Sequence, residues 1–282
     1  MDTTNLTIKL TAAYITLGCK VNQYETEQIR VGLESLGFAT VYANEYADLY
    51  VINTCSVTNT ADSKSRAAVR KVIRINPGAM VIVTGCYSHL EPDEVSGIEG
   101  VGIVIPNDQK DSIPDVVRAR FNLTQIVNST SLIKTKRMRT RAVVKVQDGC
   151  DNYCSYCVIP YARSVMSSRP INEVINEVKM LVDSGFREIV LTGIRLGSYR
   201  WEDVGVGDLV RACADVDGIG RVRMSSIEPW EVSSNLLDAM LSDKVCRHLH
   251  IPLQSGDDIT LDRMNRRYNS HDYLALLDKV RS

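Results

Sequence analysis

VVKVQDGCDNYCSYCVIP, residues 143–160, brings three cysteines together as Cys150-x3-Cys154-x2-Cys157 at the end of an apolar run. A loop this tight can wrap three thiolates around one face of a four-iron cubane, and it offers no fourth ligand to close the cluster. One iron would then stay open beside the end of a strand. Such an iron suits an enzyme that chelates the amino and carboxylate groups of S-adenosylmethionine (SAM) and cleaves its sulfonium bond reductively.

Two other uses of close cysteines agree less well with the sequence. A Cys3His zinc site needs a histidine at zinc-motif spacing, and none of the four histidines has it: His89, His248, His250 and His271. A disulfide framework is unnecessary because 282 residues with 44% hydrophobic content can bury a core unaided. The cysteines are therefore expected to be reduced thiols in a cytoplasmic protein. The N-terminal residues are polar and then strand-like, so neither a leader nor a membrane span is predicted.

The first half of the chain alternates apolar runs with polar helical stretches. The runs AAYITLG, DLYVINT, AMVIVTG and VGIVIP predict strands, and residues 22–36 and 59–75 are among the predicted helices. Near-continuous apolar strands joined by helices indicate a doubly wound parallel sheet that is covered on both faces.

A second set of cysteines follows three of these strands. Cys19 follows AAYITLG, Cys55 follows DLYVINT and Cys86 follows AMVIVTG. One cysteine after a strand is most often a small buried residue. The carboxyl ends of parallel strands share one edge where ligands bind, however, so three cysteines in this position are expected to converge and to hold a second cubane with an exchangeable iron. Cys213 and Cys246 show no such pattern and are interpreted as core or incidental thiols.

The second half continues the alternation after the cysteine loop. Strands are predicted at residues 143–146, 188–192, 222–225 and 248–253. Helices are predicted at residues 171–184, 206–217 and 233–241. Four strand units predict a parallel βα barrel or part of one, whose active face lies at the carboxyl ends of its strands. Three residues lie near those ends: Gly193, Glu228 and Gln254. Each alone could be a turn residue, but their shared position favours a cofactor site.

One basic run lies between the two halves of the chain. The formal net charge of −1 argues against a uniformly basic nucleic-acid coat, so any contact with RNA must be local. Residues 134–141 carry five basic side chains and no acidic one: Lys134, Lys136, Arg137, Arg139 and Arg141. The ordinary interpretation is a solvated linker, and contact with RNA phosphates is the alternative.

Beyond these patterns, the chain resembles the methylthiotransferase family of radical-SAM enzymes over nearly all of its length. The resemblance rests on GCKVNQYE around Cys19, NTCSVT around Cys55, TGCY around Cys86, QDGCDNYCSYCVIPYAR at residues 147–163, SSIEP at 225–229 and HLHIPLQSG at 248–256. GCKVNQYE and QDGCD are most similar to the branch that modifies N6-threonylcarbamoyladenosine beside the tRNA anticodon. Three positions depart from the residues usual in the family: Ser164, Arg195 and Arg200.

The resemblance implies two domains, each of which would carry its own cluster. An N-terminal domain, residues 1–133, would carry an auxiliary [4Fe-4S] cluster on Cys19, Cys55 and Cys86. After the linker at residues 134–141, a radical-SAM core with a partial barrel, residues 142–282, would hold the SAM-cleaving [4Fe-4S] cluster on Cys150, Cys154 and Cys157. The SAM pocket would be lined by Tyr156, Gly193, Glu228 and Gln254. Family members add further strands and a C-terminal RNA-binding β domain, so the resemblance implies a truncated chain that need not be active alone.

The implied function is transfer of a methylthio group to C2 of N6-threonylcarbamoyladenosine in tRNA. No side-chain base can remove that aromatic hydrogen at neutral pH, so a radical is required. One SAM would methylate a sulfur held on the auxiliary cluster, and a second would give the 5′-deoxyadenosyl radical that abstracts the hydrogen. The expected partners are tRNA, bound in part by the basic run, an electron donor of the flavodoxin or ferredoxin type, and a sulfur donor that the sequence does not identify.

Two alternatives stay open at this point. The same chemistry acts in related branches on isopentenyladenosine in tRNA or on a ribosomal protein. A protein of another class, a non-catalytic iron–sulfur electron carrier, also uses clustered cysteines. A carrier usually closes its clusters with four thiolates, however, whereas two open sets of three favour catalysis.

Overall fold

The computed structural model describes residues 10–123 and 140–281. The chain divides into two compact units, Met1–Leu132 and Ile133–Ser282, and each unit has its own sheet and hydrophobic core. This division lies next to the predicted domain boundary, and residues 124–139, which include most of the predicted linker, lie outside the described residues. Within the described residues, each helix is too short or too polar to cross a bilayer.

The first unit is built on a five-stranded parallel sheet. Its strands are β1 (Thr11–Thr16), β2 (Ala39–Val41), β3 (Leu49–Thr54), β4 (Met80–Gly85) and β5 (Ile103–Ile105). They lie in the order β2-β1-β3-β4-β5, and every neighbouring pair is parallel. Its helices are α1 (Lys20–Ser35), α2 (Asn59–Ile75), α3 (Cys86–Leu90), α4 (Pro92–Ser96) and α5 (Ile113–Arg120), with a 3-10 turn at Asn107–Ser112.

The central strand β3 shows why this sheet forms. All six of its residues are buried, because successive side chains point to opposite faces and helices cover both. Leu49 and Val51 pack into a cluster with residues of α1 and α5, whereas Tyr50 and Ile52 pack into a second cluster with residues of α2 and α3. The predicted doubly wound parallel sheet is therefore confirmed. The edge strand β2 was not predicted, because ATV is only three residues long.

The second unit contains a smaller mixed sheet. Its strands are β6 (Ala142–Asp148), β7 (Ser167–Ser168), β8 (Glu188–Gly193) and β11 (Arg221–Met224), with a separate hairpin of β9 (Arg200–Trp201) and β10 (Val204–Gly205). The order is β11-β8-β6-β7, in which β6, β8 and β11 run parallel and β7 runs antiparallel to β6. The helices are α6 (Ile159–Ala162), α7 (Ile171–Asp183), α8 (Val206–Ala214), α9 (Ser234–Ala239), α10 (Asp258–Arg263) and α11 (Ser270–Arg281), with 3-10 turns at Leu196–Ser198 and Pro229–Glu231.

Two predictions for this unit were wrong. Residues 248–253 do not form a strand. Within this segment the His250 carbonyl accepts a hydrogen bond from the Ile227 N–H at 3.0 Å. The nearby bridge between Val222 and Val245 is isolated. Alternating apolar residues alone do not make a strand without a continuous ladder of partners. The second error concerns helix ends, since the helices predicted to reach Asp217 and Leu241 end at Ala214 and Ala239.

Candidate functional site

The first unit places Cys19, Cys55 and Cys86 at one edge of its sheet. The strands that precede them, β1, β3 and β4, are neighbours in the sheet and run in the same direction. Cys19 is the N-cap of α1, Cys55 directly follows β3, and Cys86 is the first residue of α3 directly after β4. All three carry free thiols; Cys55 and Cys86 are buried and Cys19 is exposed.

The three thiols of this first set lie close enough to influence one another. Burial raises the pKa of the Cys55 thiol, and the neighbouring thiols of Cys86 and Cys19 raise it further. The backbone N–H of Val57 opposes this rise by donating a hydrogen bond to Cys55, which stabilises the thiolate. A thiolate supported in this way is the form that binds iron.

Two glycines shape the backbone around these cysteines. Gly18 has φ +92°, and a Cβ there would lie 2.8 Å from the Cys55 sulfur. Gly85 has φ +108°, and a Cβ there would lie 2.3 Å from the Thr54 carbonyl oxygen. Both the left-handed backbone and the close approach exclude side chains. The glycines therefore let the segments before Cys19 and Cys86 approach the segment that carries Cys55.

The side chain of Asn22, which sequence reasoning did not select, ties two of these segments together. Its amide nitrogen donates to the carbonyl oxygens of Leu17 and Thr54, each at 2.9 Å, and Asn22 is almost fully buried. Leu17 lies two residues before Cys19, and Thr54 directly precedes Cys55. The GCKVNQYE motif contained this residue, but its role depends on a contact 32 positions along the chain.

Replacing Asn22 with aspartate is expected to destabilise the first unit by about 3 kcal/mol, because it removes two buried hydrogen bonds and turns a carboxylate toward two carbonyl oxygens. The free energy of unfolding in urea measures this. Asn59→Asp makes the same chemical change at an exposed position in the first turn of α2 and is expected to stay within about 0.5 kcal/mol. Equal stability of the two variants would contradict the assigned role.

The second unit presents Cys150, Cys154 and Cys157 on the loop that follows β6. Cys154 is buried, and the other two are partly exposed. Burial raises the pKa of both Cys150 and Cys157, and each thiol also accepts a backbone N–H, from Asn152 and Ile159 respectively, which opposes the rise. Backbone N–H groups thus face the sulfurs, as a thiolate ligand requires.

Polar contacts hold this loop against the end of β6. Arg163 reaches both carboxylate oxygens of Asp148 at 2.9 Å, and its carbonyl oxygen accepts the Cys150 N–H at 3.2 Å. Gly149 has φ +80°, and a Cβ there would lie 2.2 Å from the Val165 carbonyl oxygen. The cysteine loop therefore starts from a fixed, crowded backbone.

Arg195, one of the departures from the family pattern, also contacts this loop. Its guanidinium pairs with Asp151 inside the loop and with Glu231, and its backbone N–H donates to the Gln147 side chain at 2.7 Å. The same charge lowers the pKa of Cys150 against the larger effect of burial. Arg195 thus stabilises negative charge beside the loop.

The residues predicted to line a SAM pocket lie in different settings. Gly193 packs against Gln147, since a Cβ there would lie 2.8 Å from the Gln147 amide oxygen. Tyr156 belongs to the cysteine loop itself. Glu228 lies beside that loop, because its partner Arg266 also donates to the Cys154 sulfur. Gln254 is exposed and has φ +64°.

Arg266 is a residue of this site that the sequence did not reveal. Its Nη1 donates to the Cys154 sulfur at 3.2 Å, and its guanidinium pairs with Glu228. The guanidinium lies over the rings of Trp230 and Tyr268, 5.1 and 5.3 Å from their centroids. No local pattern in DRMNRRY distinguishes this arginine, since its partner Cys154 is 112 residues away.

The basic run is described only at its end. Lys134, Lys136, Arg137 and Arg139 lie outside the described residues. Arg141 precedes β6, at the opposite end of that strand from the cysteine loop, and its Nε lies 3.0 Å from the Glu188 carboxylate. Glu188 also pairs with Arg223, so its charge is shared between arginines.

The donor sets agree with a cluster better than with a single ion. Within residues 10–123 and 140–281, no three histidine, cysteine or acidic side chains converge as ligands of one metal ion. Thiolates on a cubane bind different irons and need not converge on one point. Each set has three free thiols, and three of the six accept a backbone N–H: Cys55, Cys150 and Cys157. Thiolates are the soft ligands that iron–sulfur clusters use.

Comparison with known proteins decides the family. Residues 11–105 match "Uncharacterized protein family UPF0004" and residues 144–282 match "Radical SAM superfamily". The threonylcarbamoyladenosine tRNA methylthiotransferase MtaB of Aquifex aeolicus is 33% identical over 95% of this chain, which covers 68% of that protein. The chain belongs to the methylthiotransferase family of radical-SAM enzymes. The resemblance predicted from the cysteine motifs is thereby confirmed.

Other members of the family agree with this placement. The MtaB proteins of Bacillus subtilis and Chlamydia pneumoniae are 40% and 36% identical over 96% and 98% of this chain. The chain spans 63% and 65% of their lengths. Membership in the radical-SAM superfamily implies an iron–sulfur cluster and SAM as cofactors, which confirms that part of the prediction.

Solved structures support the fold. The radical S-adenosylmethionine methyltransferase TsrM of Kitasatospora setae, in structures with a SAM analogue and tryptophan or with cobalamin and a [4Fe-4S] cluster, matches with TM-scores of 0.65. The matches cover 95% and 96% of this chain and 65% and 67% of the other. Because sequence identity is 14%, this likeness shows the fold alone.

Proposed function

We propose that this protein is a tRNA methylthiotransferase that adds a methylthio group to C2 of N6-threonylcarbamoyladenosine next to the anticodon. The observation that carries the proposal is the similarity to five proteins named threonylcarbamoyladenosine tRNA methylthiotransferase, 33–40% identical over 95–98% of this chain. Proteins named tRNA-2-methylthio-N(6)-dimethylallyladenosine synthase are 32–33% identical.

The two cysteine sets support this chemistry. Each set has three free cysteines. As thiolates they would leave one iron of a cubane without a protein ligand. Two [4Fe-4S] clusters, when bound, would supply the sulfur to be transferred and the electron that cleaves SAM. Cys19, Cys55 and Cys86 would hold the auxiliary cluster, and Cys150, Cys154 and Cys157 the cluster that binds SAM.

The chain's other residues would bind and orient SAM. Glu228 shares its partner Arg266 with the Cys154 sulfur. It is proposed to line the SAM pocket together with Tyr156 of the cysteine loop, Gly193 and Gln254. Arg266 pairs with Glu228, so this carboxylate would hold a fixed orientation in the pocket. Exclusion of water from such a pocket protects a radical from side reactions.

The proposal includes partners and a location. The radical-SAM cluster must receive an electron, so we propose a donor of the flavodoxin or ferredoxin type. A reducing cytoplasm, where thiols persist, suits a chain with free cysteines in both units.

Mass spectrometry of tRNA nucleosides from cells that lack the gene for this protein tests the substrate. We expect loss of the methylthio derivative of N6-threonylcarbamoyladenosine and accumulation of the unmodified nucleoside. The wild-type gene should restore the product, and the Cys154→Ala gene should not. Loss of the methylthio derivative of dimethylallyladenosine instead would favour the related branch. Unchanged tRNA would contradict a tRNA substrate and favour a ribosomal protein or a role in electron transfer.

Neutralising the basic run is expected to weaken tRNA binding and flatten its salt dependence. Each lost phosphate contact lowers the slope of log affinity against log salt by about 0.9. The five residues to replace with glutamine are Lys134, Lys136, Arg137, Arg139 and Arg141. Arg141 is expected to contribute least because it already pairs with Glu188.

The measurement is the tRNA affinity of the protein at several salt concentrations. The control replaces four exposed basic residues of α2 with glutamine: Lys64, Arg70, Lys71 and Arg74. The choice of modified base should survive the change, because phosphate contacts position a nucleic acid without reading its sequence. Unchanged affinity and slope would leave residues 134–141 as a solvated linker.

A further inference from the structure

Arg266 places a buried positive charge against one sulfur of the cysteine loop. Its side chain is 1% exposed, and the partner thiol, Cys154, is the buried member of its set. The 3.2 Å contact joins a guanidinium nitrogen to the position where a ligand thiolate would stand. A guanidinium does not lose its proton in proteins, and the Glu228 carboxylate pairs with this one. The cation therefore persists in this setting.

Surrounding contacts fix this guanidinium in place. Trp230 and Tyr268 both lie within cation–π distance of it. The segment around it is tied to the cysteine loop by the Ser155 N–H, which donates to the Met264 carbonyl at 3.2 Å, and by Asn265, whose amide donates to the Tyr153 carbonyl at 3.0 Å. These contacts hold the guanidinium beside the sulfur.

A fixed cation beside a ligand sulfur has an electrical consequence. When a cluster on the three cysteines accepts one electron from its donor, its total charge falls by one and no bond breaks. A positive charge nearby stabilises the reduced state more than the oxidised state, and hydrogen bonds to cluster sulfurs act in the same direction. Glu228, which carries the opposite charge, acts against this effect.

We propose that Arg266 sets the reduction potential of the cluster held by Cys150, Cys154 and Cys157, raising it through the hydrogen bond to the Cys154 sulfur, with Glu228 as an opposing charge. This inference rests on the proposed function, since it requires that the cluster binds there. Arg266 is a positioning and tuning residue in this account, because it touches a ligand and not the substrate.

The test is a redox titration of the anaerobically reconstituted full chain, followed by electron paramagnetic resonance without SAM. Arg266→Gln is expected to lower the ratio of reduced to oxidised cluster at a given potential about tenfold, which is 59 mV for one electron. Glu228→Gln is expected to shift the potential in the opposite direction. Arg266→Lys, which keeps the charge but not the planar donor geometry, should show a smaller shift than Arg266→Gln.

Controls separate tuning from simple support of the loop. Arg211→Gln removes an arginine of the same unit that bonds to Asp208 and Asn235, and it should leave the potential unchanged. A Cys154→Ala chain supplies the signal of the auxiliary cluster for subtraction. If Arg266→Gln fails to bind iron, Arg266→Lys and Glu228→Gln still show in which direction the reduction potential of the cluster shifts.

The two possible failures are distinguishable. Variants with full iron content and the wild-type potential would overturn the tuning role while leaving the proposed function intact. A wild-type chain that binds no cluster on Cys150, Cys154 and Cys157 would instead remove the proposed function.

Discussion

Replacing Cys154 with alanine is expected to halve the iron content of the anaerobically reconstituted chain, from about eight atoms to about four. Each cysteine set should act as a unit, because an incomplete set of thiolates does not hold a cubane. SAM cleavage should be lost completely, since the remaining cluster belongs to the other unit. Iron and sulfide analysis with electron paramagnetic resonance measures the loss.

A cysteine outside both sets provides the control. Cys246→Ala should keep the full iron content, because the Cys246 thiol belongs to neither set. The substitution also keeps the hydrogen bond that the Cys246 backbone N–H donates to the Val222 carbonyl at 2.9 Å. A wild-type chain that takes up zinc and no iron would contradict the cluster assignment. Retention of both clusters in Cys154→Ala would contradict the ligand set.

Replacing Gly149 with alanine is expected to destabilise the second unit by about 3 kcal/mol or more and to lower iron binding there. The residue has φ +80°, and the added methyl would lie 2.2 Å from the Val165 carbonyl oxygen and 2.8 Å from the Met166 nitrogen. These neighbours are backbone atoms, so relief requires the cysteine loop to move. Thermal unfolding and iron content of the purified variant are the measurements.

Gly256→Ala is the matched control in the same unit. Nothing lies within 4 Å of a Cβ at this position, and its φ is not in the left-handed region. We expect a change in stability within about 0.5 kcal/mol and unchanged iron content. Similar stability and iron content for the Gly149 and Gly256 variants would show that the cysteine loop tolerates a different backbone.

The fold of the first unit could be predicted because its signals are local. β3 and β4 are apolar runs whose length is typical of a strand. Helix α2 begins and ends at the predicted residues, Asn59 and Ile75. Thr58 caps that helix by accepting the Ala61 N–H at 3.1 Å, and Pro77 follows its end. Local chemistry of this kind is visible in sequence.

Contacts between distant segments could not be predicted in the same way. The wrong strand at residues 248–253 had the apolar pattern of a strand, but the pattern does not say whether a partner pairs along it. Asn22 lies in α1 and Arg266 in a loop, and neither is distinguished by its neighbours in sequence. Their roles come from contacts across 32 and 112 positions. The cysteines could be predicted because their pattern is visible in the sequence itself. Three cysteines each follow a predicted strand, and parallel strands bring such positions together.

The measurement that tests the central claim most directly is SAM cleavage by the reconstituted chain under a strong reductant. We predict formation of 5′-deoxyadenosine and methionine that requires the reductant and is absent in the Cys154→Ala chain but present in the Cys246→Ala chain. A wild-type chain that carries its clusters, is reduced, and yields no 5′-deoxyadenosine would contradict the assignment of Cys150, Cys154 and Cys157 to a SAM-cleaving cluster.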